Sequence, residues 1–404
     1  MIYLVSFSVF SSVIITLVMF LLLLEAKVAP KGQARIIIND DPDRSIEARL
    51  GSTLLAALSD HGIFLPSACG GSGSCGQCRC RIEAGGGDIQ PTELNHLTRQ
   101  EKQDHVRLAC QLKVREDMKI QVPEFIFSIK KYEGTVQSNR NVSTFIKELV
   151  IELDDNQTID FQAGQYMQID IPEYQICFAS FDVADHYKEA WKQFRFLDLC
   201  AVSDEPVFRA YSLANPPYER LLRFTVRIAT PPPGREGIPP GVGSTYVFNL
   251  KAGDRVTLSG PYGDFVAADS DREMCFVGGG AGMAPMRSHI LHQLNTLKTR
   301  RTITFWYGAR SWKEMFYHEE FQALAEQFDN FSYHVALSEP QPEDNWQGLT
   351  GFIHNCLYDE YLKHHEDPTE IEYYLCGPPP MIGAIEKMLD DLGVEPDMVA
   401  YDKF

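Results

Sequence analysis

Apolar and polar positions fall into four successive patterns. From Ile2 to Leu24 the chain runs 23 residues without a charge. As a helix that stretch is ~34 Å long, enough to cross a ~30 Å hydrocarbon core. No Lys or Arg precedes it, whereas Lys27, Lys31 and Arg35 follow it. A cleaved signal peptide has a basic start and a shorter apolar core, so the pattern predicts a retained anchor over 1–26, with everything after residue 25 on the cytoplasmic side. A second block, 33–125, opens on the apolar run Ala34 to Ile38. It continues with a helical pattern at Leu54, Leu55 and Leu58 that Gly62 stops. In a third block, 126–270, the stretches Phe145–Leu153, Tyr166–Ile171 and Leu221–Ile228 read as strands between Gly/Pro turns. The fourth, 271–404, alternates. Met274–Val277, Ile303–Trp306, Tyr333–Leu337 and Tyr373–Leu375 read as strands, and Ile290–Leu297, Phe321–Phe328 and Met381–Leu392 as helices. That alternation predicts a parallel sheet with crossover helices.

Composition narrows the picture. A chain of 404 residues suggests two to three domains, and 44% hydrophobic content is that of a globular protein. The net charge of −18 argues against a nucleic-acid partner. Ten cysteines are too sparse for a disulfide scaffold. Four of them have metal-site spacing, which points to a reducing compartment. Cys69, Cys75 and Cys78 read C-x5-C-x2-C, with Cys110 downstream. Four thiolates hold either zinc or a [2Fe–2S] cluster. Gly70, Gly71, Ser72, Gly73, Ser74 and Gly76 between them are small enough for backbone N–H groups to wrap bridging sulfides, which favours the cluster. The segment resembles a 2Fe–2S ferredoxin domain of α+β, β-grasp fold. That family has no fifth ligand, so Cys80 is expected to be a buried structural thiol.

Arg209-Ala210-Tyr211-Ser212 resembles the R-x-Y-S motif of the ferredoxin–NADP reductase superfamily. An Arg fork suits a pyrophosphate, a Tyr ring suits an isoalloxazine face, and a Ser hydroxyl can reach the flavin N5 edge. Arg227 follows. Gly241-Val242-Gly243-Ser244-Thr245 then opens an apolar run as a helix start able to hold the FAD pyrophosphate. Ser259-Gly260-Pro261-Tyr262-Gly263-Asp264-Phe265 closes the block as it does in that superfamily, implying an antiparallel β-barrel that binds FAD.

Beyond it, a strand runs into Gly278-Gly279-Gly280-Ala281-Gly282-Met283-Ala284-Pro285, where backbone amides of a strand–helix turn can meet a dinucleotide pyrophosphate. Arg310 in Tyr307-Gly308-Ala309-Arg310 hints at a 2′-phosphate, yet NADH and NADPH stay unresolved on the residues alone. The resemblance places Cys376-Gly377-Pro378 beside the nicotinamide, and a near-terminal aromatic, here Phe404, over the second flavin face. It implies direct roles in hydride transfer for Tyr211, Ser212, Cys376 and Phe404. His289, His292, His364 and His365 read as surface or helix-face residues.

A nicotinamide gives two electrons as hydride and an iron–sulfur cluster takes one at a time, so FAD belongs between them. Reductases that feed multicomponent oxygenases share this domain order and are the alternative reading. A membrane-tethered ferredoxin or zinc module without activity is a remoter one. Two features set the chain apart: the N-terminal span, and Glu173–Phe208, where eight aromatics in 36 residues suggest a packed or docked insertion. Both resemble the F subunits of sodium-translocating NADH:quinone oxidoreductases. The resemblance implies NADH as substrate, a place in the bacterial inner membrane, partner membrane subunits and ubiquinone as the indirect acceptor. The span has no ionisable group, so ion transport would belong to those partners.

Overall fold

Alternation in Gln33–Ile38 puts Ala34, Ile36 and Ile38 on one face, and all three are buried. The computed structural model describes residues 7, 10–20, 32–232 and 237–402. It divides into two units, Met1–Ser67 with Gly71–Ser128, and Ala68–Gly70 with Ile129–Phe404. In the first, strand Gln33–Ile38 pairs antiparallel with Asp41–Arg49 and parallel with Met118–Gln121. Arg79–Ala84 and Val106–Leu108 complete a five-stranded sheet. The Thr53 hydroxyl accepts from the Ala56 amide and caps the helix Leu54–Asp60, which buries Leu54, Leu55 and Leu58. Cys80 is buried as expected. Its Sγ lies 3.9 Å from the Arg107 carbonyl, and burial pushes its thiol up to about 12.

Residues 10–20 are helical, with exposed apolar side chains such as Phe10, Ile15 and Phe20. No helix among the described residues is long and apolar enough to cross a membrane, and the rest of the expected 1–26 anchor lies outside them.

The second unit holds two six-stranded sheets. The first is antiparallel, in the order Val207–Ser212, Tyr166–Ile171, Arg255–Tyr262, Lys130–Ser143, Ile146–Leu153, Leu222–Arg227. Its edges meet where Leu213 bridges Phe224 and the Ala214 amide donates to the Arg223 carbonyl, closing a barrel around Leu149, Met167, Ile169, Phe224 and Leu258. The segment after Ile171 is packed. Strands Tyr174–Cys177 and Cys200–Ser203 pair, a disulfide joins Cys177 to Cys200, and Phe178, Phe181, Tyr187 and Trp191 bury against Ile228 and Phe248 of the barrel. The Trp191 indole donates to the Thr144 carbonyl at 2.7 Å.

The second sheet is parallel, in the order Leu349–Thr350, Phe331–Leu337, Ile303–Ala309, Met274–Gly279, Glu372–Cys376, Val399–Asp402. Successive side chains alternate faces, so Phe276 joins a core with Met286 and Ile290, while Val277 joins one with Leu357 and Ile382. The expected helix Ile290–Leu297 is present but starts earlier: Met283–Leu291 is α-helical, and His292–Leu297 continues it as a π-helix. All nine residues of Met283–Leu291 are buried, so the segment has no polar face and no amphipathic period to read. His289 is corrected with it. It is enclosed rather than at a surface, with Nε2 3.0 Å from the Phe265 carbonyl, and burial lowers it to about 4.

Candidate functional site

In the first unit, Gly71, Gly73 and Gly76 hold positive φ of 91°, 83° and 67°, a backbone that glycine adopts without a Cβ penalty. A Cβ on Gly76 would fall 2.9 Å from the His96 ring, and one on Gly73 would fall 2.5 Å from Gln111. This is a cradle with no room for larger residues. Cys75 is half-buried, and Cys78 and Cys110 are buried. The Cys78 thiol is pushed far above the ordinary cysteine range, first by its hydrogen bond with Cys110, then by burial and by the charges of Cys110 and Cys75. Among the described residues no three His, Cys, Asp or Glu side chains are arranged to hold a metal ion. A [2Fe–2S] cluster needs only two thiolates on each iron, and the donor set fits it. Cys69, also half-buried, belongs to the second unit.

In the second unit, strand Val207–Ser212 places Arg209 and Tyr211 on one side and Ser212 on the other. Helix Val242–Asn249 begins beside them. A Cβ on Gly243 would fall 2.6 Å from both Arg209 Cγ and the Tyr211 hydroxyl. The three residues therefore converge on a cradle that only glycine leaves open. The first-turn amides of that helix precede its first intrahelical acceptor, as an anion site requires. The side chain of Ser244 is engaged in the turn, accepting from the Ala229 amide and donating to the Gly241 carbonyl. Thr245 is buried. The Arg209 guanidinium donates to the Phe208 carbonyl at 2.7 Å.

The parallel sheet brings its chemistry to the carboxyl ends of its strands. Gly278 pairs with Cys376, and Cys376 pairs with Asp402. Gly282 lies so near the neighbouring turn that a Cβ would meet the Cys376 carbonyl oxygen at 2.2 Å. A Cβ on Gly279 would fall 2.8 Å from Met381 Sδ. Gly377 follows Cys376 directly. A cavity of about 430 Å³ opens over this edge, lined by Gly279, Gly280, Tyr307, Arg310, Phe352 and Arg227, a size suited to a small-molecule ligand. Arg227, expected with the flavin residues, thus lines this cavity. Arg310 pairs with Glu339 at 3.3 Å.

Sequence reasoning missed Asp402. Its Oδ2 accepts from the Ser212 hydroxyl at 2.8 Å, tying the flavin strand to the edge of the nucleotide sheet. Burial pushes its carboxyl up to about 6, with Asp264 adding to the push and Ser212 opposing it. Cys376, level with Asp402 in the sheet, is driven well above the ordinary thiol range by burial and then by the Asp402 charge. Only the register shows this role, since an isolated Asp near the last strand carries no spacing signal. Phe404 lies outside the described residues.

Residues 37–115 match the family described as a 2Fe-2S iron-sulfur cluster binding domain, and residues 276–387 match the oxidoreductase NAD-binding domain. Among curated proteins, the chain is 51% identical to the F subunit of the Na(+)-translocating NADH-quinone reductase of Idiomarina loihiensis, over 98% of this chain and 97% of that one. It is 51% identical to the corresponding F subunit of Serratia proteamaculans over 98% of each. Among solved structures it is similar in fold to an Amycolatopsis cytochrome P450 reductase, with a TM-score of 0.64 at 22% identity, covering 92% of this chain and 98% of that one. It is similar too to the ferredoxin reductase in carbazole 1,9a-dioxygenase, with a TM-score of 0.59 at 24% identity and the same coverage.

Proposed function

The chain belongs to the family of F subunits of the Na(+)-translocating NADH-quinone reductase, and on that premise we propose that it is the NADH-oxidising, electron-input component of a membrane sodium-pumping complex. The observation that carries this reading is the hydrogen bond from Ser212 to Asp402. It joins the Arg209–Tyr211–Gly243 cradle to the Gly279–Gly282 and Cys376–Gly377 turns within one unit. When bound, FAD supplies the exchange between two-electron and one-electron transfer, and a [2Fe–2S] cluster supplies one-electron carriage. Arg209 and the start of helix Val242–Asn249 hold phosphate oxygens. Tyr211 offers its ring to one flavin face, and Asp402 orients the Ser212 hydroxyl. Gly279, Gly280 and Gly282 let backbone approach a dinucleotide in the cavity, while Arg227 supplies positive charge at its wall. Cys376 and Gly377 would border a bound nicotinamide, and Phe404 would serve as the aromatic cover for the second flavin face. Cys69, Cys75, Cys78 and Cys110 hold the cluster.

The domains in this reading are a ferredoxin-type domain at 33–125, a flavin domain at 126–270 and a nucleotide domain at 271–404. A single span within 1–26 anchors them on the cytoplasmic side of the bacterial inner membrane, supported by the uncharged run Ile2–Leu24 and the basic residues after it. Electrons pass on through partner membrane subunits to ubiquinone. The test is a spectrum of the purified full chain. NADH is expected to bleach both flavin and cluster bands, and more efficiently than NADPH. A protein that holds neither group, or holds both and ignores NADH, overturns the reading.

The Asp402 carboxyl gives a pH dependence. Ionised, it can only accept, so the Ser212 proton points toward it. Protonated, it can donate, and the serine proton turns elsewhere. Flavin reduction by NADH is therefore expected to slow as pH falls through about 6. Asp402→Asn is expected to abolish that limb of the pH–rate profile. Stability runs the other way: the folded state holds this proton more tightly than the unfolded chain, so the contribution is full below the ordinary carboxylate range and is lost as pH rises through about 6. An unchanged low-pH limb in the Asn variant would show that Asp402 does not set it.

A further inference from the structure

We propose that Tyr317, Glu148 and Arg287 form a positioning brace that fixes the nucleotide half of the second unit against its flavin half and thereby sets the hydride-transfer distance. This rests on the proposed function. The closing experiment separates the two.

Tyr317 precedes helix His318–Gln327 with φ 57° and ψ 15°, a left-handed conformation that is uncommon for an aromatic residue and persists only where its surroundings enforce it. What enforces it is a closed circuit of polar contacts. The Tyr317 hydroxyl donates to Glu148 Oε2, on the barrel strand Ile146–Leu153. Glu148 is buried and accepts from Arg223 Nη1 at 3.2 Å. Arg223 Nε donates to Glu219 Oε2 at 3.2 Å, and Glu219 Oε1 accepts from Arg287 Nη2 at 3.2 Å. The Arg287 guanidinium lies 5.1 Å from the Tyr317 ring centroid, which closes the circuit. Three of its members belong to the barrel and two to the nucleotide half.

Arg287 gives the circuit its bearing on chemistry. It stands on helix Met283–Leu291, which begins directly after the glycine turn Gly280–Gly282. Its Nη1 donates at 2.8 Å to the Ala214 carbonyl, two residues beyond Ser212. Its Nε and Nη2 grip Glu320 at 2.7 and 2.8 Å. One buried guanidinium thus holds the helix that follows the dinucleotide turn, the chain leaving the flavin motif, and the helix that Tyr317 starts. None of these side chains borders the ligand cavity, so the brace acts through the residues it holds. Reacting atoms must approach within roughly 3–3.5 Å, and a displacement of about 1 Å can cost ~100-fold in rate. Planar guanidinium forks add directional, two-point contacts that fix orientation as well as distance.

The experiment uses the full chain with FAD bound. Tyr317→Phe deletes one hydroxyl and keeps the ring. At saturating NADH, rapid-mixing flavin reduction is expected to slow about tenfold, while the NADH dissociation constant stays within about twofold and FAD content is unchanged. Amide exchange over 318–327 is expected to quicken. Arg287→Lys keeps the charge and loses the fork, and should show the same split more strongly. Glu148→Gln retains an acceptor for Tyr317 and should keep most of the rate that Glu148→Ala loses. Wild-type flavin reduction in Tyr317→Phe overturns the brace, as does a loss of NADH affinity or FAD equal to the loss of rate in both Tyr317→Phe and Arg287→Lys, which would mark a merely structural network. A wild-type protein that NADH cannot reduce would instead overturn the function reading.

Discussion

A Cys75→Ala protein is expected to lose the EPR signal of a reduced cluster while keeping its FAD. Cys75 lies between the left-handed glycines Gly73 and Gly76, where larger residues would collide with Gln111 and His96. It also bears electrostatically on the buried Cys78 thiol. With three thiolates left, one iron has a single protein ligand, and Ala offers neither charge nor lone pair to replace the lost one. Arg209, Tyr211 and Gly243, proposed to hold FAD, lie in the unit that does not contain Cys75, so flavin retention should be unaffected. Quinone reduction by the assembled complex should collapse, and NADH should still reduce small artificial acceptors that take electrons from the flavin. A Cys75→Ala protein with a full-strength cluster signal would remove Cys75 from the ligand set.

Gly282→Ala is expected to weaken NADH binding and flavin reduction by ~5–150-fold. Gly282 has φ −61°, so no unusual backbone demands glycine there. The demand is space. A Cβ would lie 2.2 Å from the Cys376 oxygen, 2.4 Å from its carbonyl carbon and 2.7 Å from the Gly377 nitrogen. These are backbone atoms at the end of strand Glu372–Cys376, which is paired on both sides, so they cannot swing aside as a side chain would. Overpacking of this kind costs about 1–3 kcal/mol, and ~1.4 kcal/mol is tenfold in affinity. Cluster and FAD contents should stay at wild-type levels. Gly383→Ala is the control, because a Cβ there meets nothing within 4 Å. NADH kinetics within twofold of wild type in Gly282→Ala would show that the turn can open without loss.

Much of this was legible because metal and phosphate chemistry is written in local spacing. The cysteine loop, the Arg209–Ser212 tetrapeptide and the 278–285 glycine turn each lie within a few residues, and the structure sets the last of these after a strand as expected. Contacts made by register and tertiary approach were not legible. Asp402 meets Ser212 from 190 positions away, and Tyr317 meets Glu148 from 169. The fully buried Met283–Leu291 has no polar face, so periodicity located its helix too late and left His289 outside the core. Cys177 and Cys200 were unreadable for another reason: composition argued against a disulfide scaffold, and only the antiparallel pairing of their strands brings them opposite each other.

That pairing fixes where the aromatic segment joins the barrel. Ile171 and Val207 are already partners in the barrel, directly opposite one another, and the hairpin Tyr174–Cys177/Cys200–Ser203 extends from that point. The segment therefore enters and leaves the barrel through adjacent positions, with its aromatic side chains packed on Ile228 and Phe248. It is an outgrowth of one hairpin turn, beneath which the two barrel strands keep their register and Arg209, Tyr211 and Ser212 keep their places.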